Sequence, residues 1–210
     1  MKQKLKRFGK VLLWTLIAGT LIVTSAIVLR VPYVLETQKT EKAVAKIHAT
    51  KLTLADVAGE NLPPEPEAEL KDATVRGIDA NDNGIRDDVE LAIFAEYPDS
   101  AKTRAALLQY ALALQMQFTQ EIVNTKTVTA TIQQESRANH CVADTLVPRA
   151  NPESGRSYED IEKIATFVGF VESRQTNTQK REEYREDFYE NLGSYTLLSG
   201  CDINLTELPN

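Results

Sequence analysis

Residue types that commonly carry catalysis are scarce in this sequence. Its 210 residues include two histidines, His48 and His140, and two cysteines, Cys141 and Cys201. The patterns Gly-x-Ser-x-Gly, His-Glu-x-x-His, the P-loop and Gly-x-Gly-x-x-Gly do not occur, and these patterns mark hydrolase nucleophiles, zinc proteases and nucleotide sites. Because little material remains for a histidine-based active site, we expect a protein that is not an enzyme.

Positive charge is scarce once the first ten residues are set aside. Those ten hold five lysines and arginines and no acid, whereas the other 200 hold 19 basic and 30 acidic residues. A surface this acidic repels phosphate backbones. We therefore expect no nucleic-acid partner. With 42% hydrophobic and 26% charged residues, the chain has the composition of a folded protein.

A long apolar run follows the basic decapeptide. Residues 11–29 contain no charge, and a helix of this length spans about 28 Å, close to the hydrocarbon thickness of a bilayer. Trp14 and Tyr33 are placed as interfacial aromatic anchors. The run predicts a transmembrane signal anchor over residues 11–31 that binds the lipid bilayer, preceded by a cytoplasmic basic tail over residues 1–10.

The charges around this run predict its orientation. Five positive charges before it keep the N-terminus cytoplasmic, so the remainder is expected on the periplasmic or extracellular side of the inner or plasma membrane. A cleaved signal peptide is the alternative, because Thr24-Ser25-Ala26 resembles a small-residue cleavage site, although the run exceeds the usual length of about 7–15 residues. A buried helix of a soluble protein is a further alternative.

Export would place the two cysteines in an oxidising compartment. We therefore expect a disulfide between Cys141 and Cys201. Such a bridge closes a loop of about 60 residues, which the chain-entropy model equates with about 4 kcal/mol. The alternatives are two free buried thiols, or a zinc site made of His140, Cys141 and Cys201.

Composition divides the rest of the chain into a tether and a domain. Residues 32–71 are predicted to be a juxtamembrane stalk and proline-rich linker, because Pro63, Pro64 and Pro66 favour extended polyproline II structure. Residues 72–210 are predicted to be an exported α-helical domain, since apolar residues recur there every three or four positions. The predicted fold class is mainly α: an N-terminal transmembrane helix followed by a small bundle of four to five helices.

One segment carries a chemical signature. Residues 79–90 match the twelve-residue calcium-loop pattern: oxygen-bearing side chains stand at positions 1, 3 and 5 (Asp79, Asn81, Asn83), glycine at position 6 (Gly84) and glutamate at position 12 (Glu90). Calcium takes six to eight hard oxygen ligands, so the chain that supplies them must coil around the ion. Glycine permits the positive φ of the sharp turn.

Two further residues complete the predicted ligand set. Position 7 would offer the backbone carbonyl of Ile85, and position 9 would offer Asp87 directly or through water. The loop resembles that of EF-hand proteins and, with an aliphatic residue at 7 and aspartate at 9, the calcium loops of thrombospondin type 3 repeats. It departs from EF-hands because an extended segment precedes it, Arg86 replaces the aliphatic residue at position 8, and a single loop is present.

The resemblance implies a Ca²⁺ site of modest affinity, with a Kd of about 10⁻⁴–10⁻³ M. We expect a single-pass, extracytoplasmic, calcium-binding helical domain with a structural or protein-interaction role, in which calcium clamps the linker to the first helix of the bundle. The alternatives are a polar turn that binds no ion, a cell-envelope hydrolase that uses paired carboxylates, and a calcium sensor, against which the single loop argues.

Overall fold

Helices account for all the regular secondary structure in the described part of this chain. The computed structural model describes residues 2–149, 151 and 154–209, without the side chains of residues 2–8 and 11. In chain order the helices are α1 (Lys2–Ala49), α2 (Leu54–Ala58), α3 (Asp87–Glu96), α4 (Ala101–Thr119), α5 (Thr125–Leu146), α6 (Tyr158–Gln175), α7 (Gln179–Glu190) and a final 3-10 turn (Leu205–Glu207). The mainly α fold class is confirmed.

The chain forms two compact units, Met1–Lys42 and Ala43–Asn210. In the first unit, α1 contains a stretch from Leu12 onward that is long and apolar enough to cross a membrane, and a signal sequence would pass the same test. The large apolar side chains of residues 12–35 are exposed. Arg30 lies 5.3 Å from the centre of the Tyr33 ring, just after the apolar run. Four of the five basic side chains in the predicted tail lie outside the described residues.

The start of the second unit differs from the predicted stalk and linker of residues 32–71. Residues 43–71 belong to the compact second unit, because Ile47, Leu52 and Val57 are buried in its core. A capping box between Thr53 and Asp56 starts the short helix α2, which brings Val57 inward. The irregular spacing of these apolar residues concealed their burial, since each of them lies in a different local structure.

Helix α4 is the centre of the second unit. Its residues 105–118 are all buried, and α2, α3, α5, α6 and α7 all contact it. Side-chain caps start the outer helices: Asn124 caps α5, Ser157 and Asp160 form the capping box of α6, and Thr178 caps α7. The polar stretch after Arg174 therefore breaks into a short junction, Thr176–Thr178, between α6 and α7.

A disulfide joins Cys141 on α5 to Cys201 in the C-terminal segment, as predicted, so neither free thiols nor a zinc site uses these sulfurs. The next residue, Asp202, has a buried carboxylate that accepts a hydrogen bond from the Leu52 backbone at 2.9 Å. Its oxygens also lie 3.3 Å from Lys51 and 2.5 Å from Arg137. The disulfide thus holds the C-terminal segment where Asp202 ties down the beginning of the second unit.

We expect the double substitution Cys141→Ser with Cys201→Ser to lower the free energy of unfolding by about 2–5 kcal/mol, because the open chain gains conformational entropy when unfolded. Urea denaturation followed by circular dichroism measures this change. The wild type treated with a reductant should show the same loss, and an unaltered midpoint in both samples would contradict the prediction.

Candidate metal centre

The twelve-residue loop is fixed to the core at its middle. Ile85 is fully buried among the core side chains. Gly84 has a φ of +85°, and a Cβ there would approach the Leu112 side chain to 2.9 Å. Only glycine therefore suits this position, both for its backbone and for its closeness to α4. The amide of Asp87, at position 9, donates to the carbonyl of Ile78, the residue before the loop, at 2.9 Å.

Asp79 organises the first half of the loop. Its two carboxylate oxygens accept hydrogen bonds from the backbone amides of Asn83 at 3.1 Å and of Gly84 at 2.9 Å. The Asn83 side-chain oxygen accepts from the Ile85 amide at 2.8 Å. The backbone thus curls around the Asp79 carboxylate, as the spacing of positions 1, 3 and 5 predicts.

Glu90 closes the loop from the first turn of α3. Its side chain is 1% exposed, and its two oxygens accept hydrogen bonds from the amides of Asn81 at 3.1 Å and Asn83 at 2.9 Å. Residues at positions 3, 5 and 12 are therefore in direct contact, and Asp79 joins them through the backbone of Asn83. The structure brings together the four side chains predicted at positions 1, 3, 5 and 12.

Asp87 is the second carboxylate on α3, and it lies at the opening of the loop. Both of its oxygens accept from the Ala80 amide, at 3.0 and 3.2 Å, so it holds the start of the loop against the start of the helix. Asp87 is buried like Glu90. Its negative charge also suits the N-terminus of α3, where the backbone amides are free of helical partners.

The three carboxylates share an environment that disfavours their ionised forms. Burial raises the pKa of Glu90 to about 7, and the charges of Asp56 and Asp87 add to the effect. Burial also raises the pKa of Asp79 and of Asp87. Loss of hydration penalises a buried anion unless an opposite charge compensates it, and the partners of Glu90 are neutral amides.

The donor atoms suit a hard divalent cation. The predicted ligands in the loop are three carboxylates, two carboxamides and the backbone carbonyl of Ile85, which is the oxygen chemistry that calcium prefers. The asparagine amides present nitrogen to Glu90, and their oxygens accept from the backbone amides of Asn83 and Ile85. In the described residues, no group of three or more His, Cys, Asp or Glu side chains could hold a metal ion, so the fit depends on the two asparagines and the carbonyl.

A second polar cluster lies outside the loop and was not predicted from the sequence. The guanidinium of Arg185 lies 3.2 Å from Glu135 and 3.5 Å from Glu172. Glu135 also accepts from the Tyr189 hydroxyl at 2.8 Å, and Glu172 accepts from the Tyr110 hydroxyl at 2.7 Å. Burial raises the pKa of Glu135. A signal in the sequence was Gln117, which stands among the apolar residues of α4 and donates to Glu135 at 2.6 Å.

No family model, no curated protein and no solved structure matches the chain.

Without calcium, we expect the free energy of unfolding to fall as the pH rises from about 5 to about 8. The folded-state pKa of Glu90, about 7, lies above the unfolded value of about 4.3. The folded protein therefore binds the proton more tightly, and losing it at higher pH costs stability. Urea denaturation in EDTA across this pH range measures the trend.

The variant Glu90→Gln is the control for this trend, because it keeps the size of the side chain and cannot ionise. The pKa values of Asp72 and Asp160 are lowered by hydrogen bonds, so these residues act in the opposite direction in both proteins. The difference between the two pH profiles isolates Glu90. Two parallel profiles would contradict the assignment.

Proposed function

We propose that the loop 79–90 binds Ca²⁺ and that the protein is a membrane-anchored, extracytoplasmic helical domain with a structural or protein-interaction role. The ligands would be Asp79, Asn81, Asn83, the Ile85 carbonyl, Asp87 and Glu90. When bound, the cation supplies positive charge to a site that otherwise holds carboxylates and amides. The single observation that carries this proposal is the buried Glu90 carboxylate, whose hydrogen-bond partners are the amides at positions 3 and 5.

Three carboxylates of the loop carry charge that no basic side chain among the described residues compensates. A buried carboxylate is costly unless it is paired with a cation or coordinates a metal. In the described part of the chain, no basic side chain forms a salt bridge with Asp79, Asp87 or Glu90, whereas buried Arg86 pairs with Asp88 next to them. A divalent cation bound beside Glu90 would supply the positive charge that its neutral amide partners lack.

The position of the loop favours a clamp over a switch. Asp79 is the first residue of the loop and Glu90 belongs to α3, so an ion held by both would fix the angle at which the chain enters the helix. A Kd of about 10⁻⁴–10⁻³ M is typical of extracellular calcium modules, and such a site stays occupied wherever calcium is near millimolar. A constant occupant stabilises a structure and carries no signal.

Helix α1 supports the membrane part of the proposal. Its stretch from Leu12 is long and apolar enough to cross a bilayer, and Trp14 and Tyr33 are exposed near its ends, as interfacial anchors are. The uncharged run of 19 residues exceeds the usual apolar region of a cleaved signal peptide, about 7–15 residues. We infer an uncleaved anchor, with the second unit on the exported side.

The two carboxylates of the second polar cluster, Glu135 and Glu172, do not suit the catalytic pair of a hydrolase. Glycoside hydrolysis needs one carboxylic acid that donates a proton and one carboxylate that attacks or activates water. Glu135 and Glu172 share one guanidinium instead, that of Arg185, and each also accepts from a tyrosine hydroxyl. Their oxygens are engaged by groups of the protein, which favours a structural role.

We expect calcium to raise the melting temperature of the wild type, because the cation binds the folded loop and not the unfolded chain. At a calcium concentration about 100 times the Kd, the gain in the free energy of unfolding is about 2.7 kcal/mol. Scanning calorimetry in calcium and in EDTA measures the shift, and isothermal titration gives the affinity. Asp79→Ala and Glu90→Gln should each remove most of the shift.

Asp82→Asn is the matched control for these variants. Asp82 lies in the same loop and carries the same charge, but it is exposed at position 4 and has a φ of +55°, which asparagine adopts readily. This variant should keep the calcium-dependent shift. Equal melting of the wild type in calcium and in EDTA would overturn the proposed function.

We expect the protein isolated from a membrane fraction to retain residues 1–26, because the apolar run is long enough to remain in the bilayer. Intact-mass spectrometry of the detergent-extracted chain checks this. A mass that lacks these residues would show a cleaved signal peptide and would contradict the anchor.

A further inference from the structure

Arg86 occupies a position in the loop that the proposed calcium ligation does not use. It is position 8, between the proposed ligands Ile85 and Asp87, and its side chain is fully buried. In the EF-hand loop that this segment resembles, an aliphatic residue at position 8 lets two loops pair. Here the buried group is a guanidinium. Its hydrogen-bond partners therefore identify the part of the fold that contacts the loop.

The guanidinium of Arg86 contacts the C-terminal end of α6. Its guanidinium donates to the backbone carbonyls of Arg174 at 2.5 Å and of Gln175 at 3.2 Å. The last carbonyls of a helix have no partner within the helix, so Arg86 satisfies two of them. Asp88 holds the guanidinium in place, with Nε 2.5 Å and Nη2 3.0 Å from its oxygens.

The stem of the Arg86 side chain is enclosed from the other side by Gly77. This glycine has a φ of +68°, and a Cβ there would lie 2.3 Å from Arg86 Cδ. The segment that leads into the loop thus closes directly over the arginine. Arg86 cannot shift its stem without moving Gly77, and its head cannot shift without leaving the end of α6.

The junction between α6 and α7 is also tied to the segment before the loop. Arg181, on α7, donates to the carbonyls of Lys71 at 2.9 Å, Thr74 at 3.1 Å and Val75 at 3.0 Å. Arg181 is fully buried like Arg86. The residues before the loop therefore contact α7, and the residue at position 8 contacts the end of α6.

We propose that cation binding in the loop is coupled through Arg86 to the α6–α7 junction, so that the bound ion protects the end of α6 from opening. This inference rests on the proposed function. Ile85 and Asp87 flank Arg86, so a cation that holds both also fixes the backbone from which the arginine extends. Without the cation, repulsion among Asp79, Asp87 and Glu90 makes that backbone more mobile. The hydrogen bonds from the guanidinium to the last carbonyls of α6 then break more often.

Thermodynamic linkage makes this coupling reciprocal. If the bound cation favours the Arg86 contacts by some factor, then loss of those contacts weakens cation binding by the same factor. Arg86 acts here as a positioning residue, since its side chain lies outside the set of proposed ligands. A residue with a merely structural role would lower stability and leave the cation affinity as it was.

Hydrogen exchange of the full chain in detergent micelles, with calcium and with EDTA, tests the coupling. In the wild type we expect exchange at the amides of residues 174–181 to slow by about tenfold when calcium is added, within the usual range of coupling between sites. In Arg86→Lys, which keeps the charge and loses the planar fork, this protection should vanish, and the calcium Kd from isothermal titration should rise by about tenfold.

Arg156→Lys is the matched control. Arg156 also satisfies the end of a helix, with 2.5 Å to the Val147 carbonyl and 2.7 Å to Asp144, but that helix is α5 and the loop is not involved. This variant should keep the wild-type Kd and the wild-type protection at α6. Asp88→Asn, a milder change, should move both readouts in the direction of Arg86→Lys if the lysine variant does not fold.

The possible results distinguish a failure of the coupling from a failure of the proposed calcium binding. Calcium binding in the wild type with unchanged exchange at residues 174–181 would overturn the coupling and leave the proposed function standing. An Arg86→Lys variant that folds and keeps both the Kd and the protection would also overturn it. If the wild type shows no calcium binding in the titration, the proposed function fails and the coupling fails with it.

Discussion

Buried charge is the constraint on which this small domain depends. Removing a charged group from water costs several kcal/mol unless partners replace the lost hydration. The second unit buries Arg86, Arg181 and the Asp202 carboxylate, and each of them has charged or carbonyl partners within hydrogen-bonding distance. Glu90 and Asp87 differ, because the groups that contact these buried carboxylates are neutral amides. Among the described residues, no basic side chain forms a salt bridge with either of them.

Buried polar side chains also fix the segments that have no regular structure, because they form hydrogen bonds with the backbone of those segments. Residues 59–86 contain no helix, so their carbonyls need partners from elsewhere. Arg181 supplies donors to three of these carbonyls, and Gln115 of α4 donates to the Arg76 carbonyl at 2.7 Å. The Asp202 carboxylate accepts a hydrogen bond from the Leu52 backbone amide in the same way. Buried side chains thus take the place of the ladder that a sheet would provide.

The sequence predicts those features that local chemistry determines. The disulfide and the curl of the loop around Asp79 depend on cysteine count or on residues close in sequence, and both are present. Burial of Ile47 and Leu52 could not be predicted, because it depends on helices more than 50 residues away. The same is true of Arg86: a charge at position 8 signals a departure from the EF-hand pattern, but its partners on α6 follow only from the tertiary fold.

The departure at position 8 explains how a single loop can exist in this fold. A calcium loop exposes its position 8 backbone and side chain, and a second loop normally covers them. In this protein the end of α6 covers position 8. The guanidinium of Arg86 donates to the last carbonyls of α6, which have no partner within the helix. An aliphatic residue would bury those carbonyls without donors, at a cost of about 1–3 kcal/mol for each unsatisfied group. Arginine at this position is therefore what a loop requires when its neighbour is the carbonyl end of a helix.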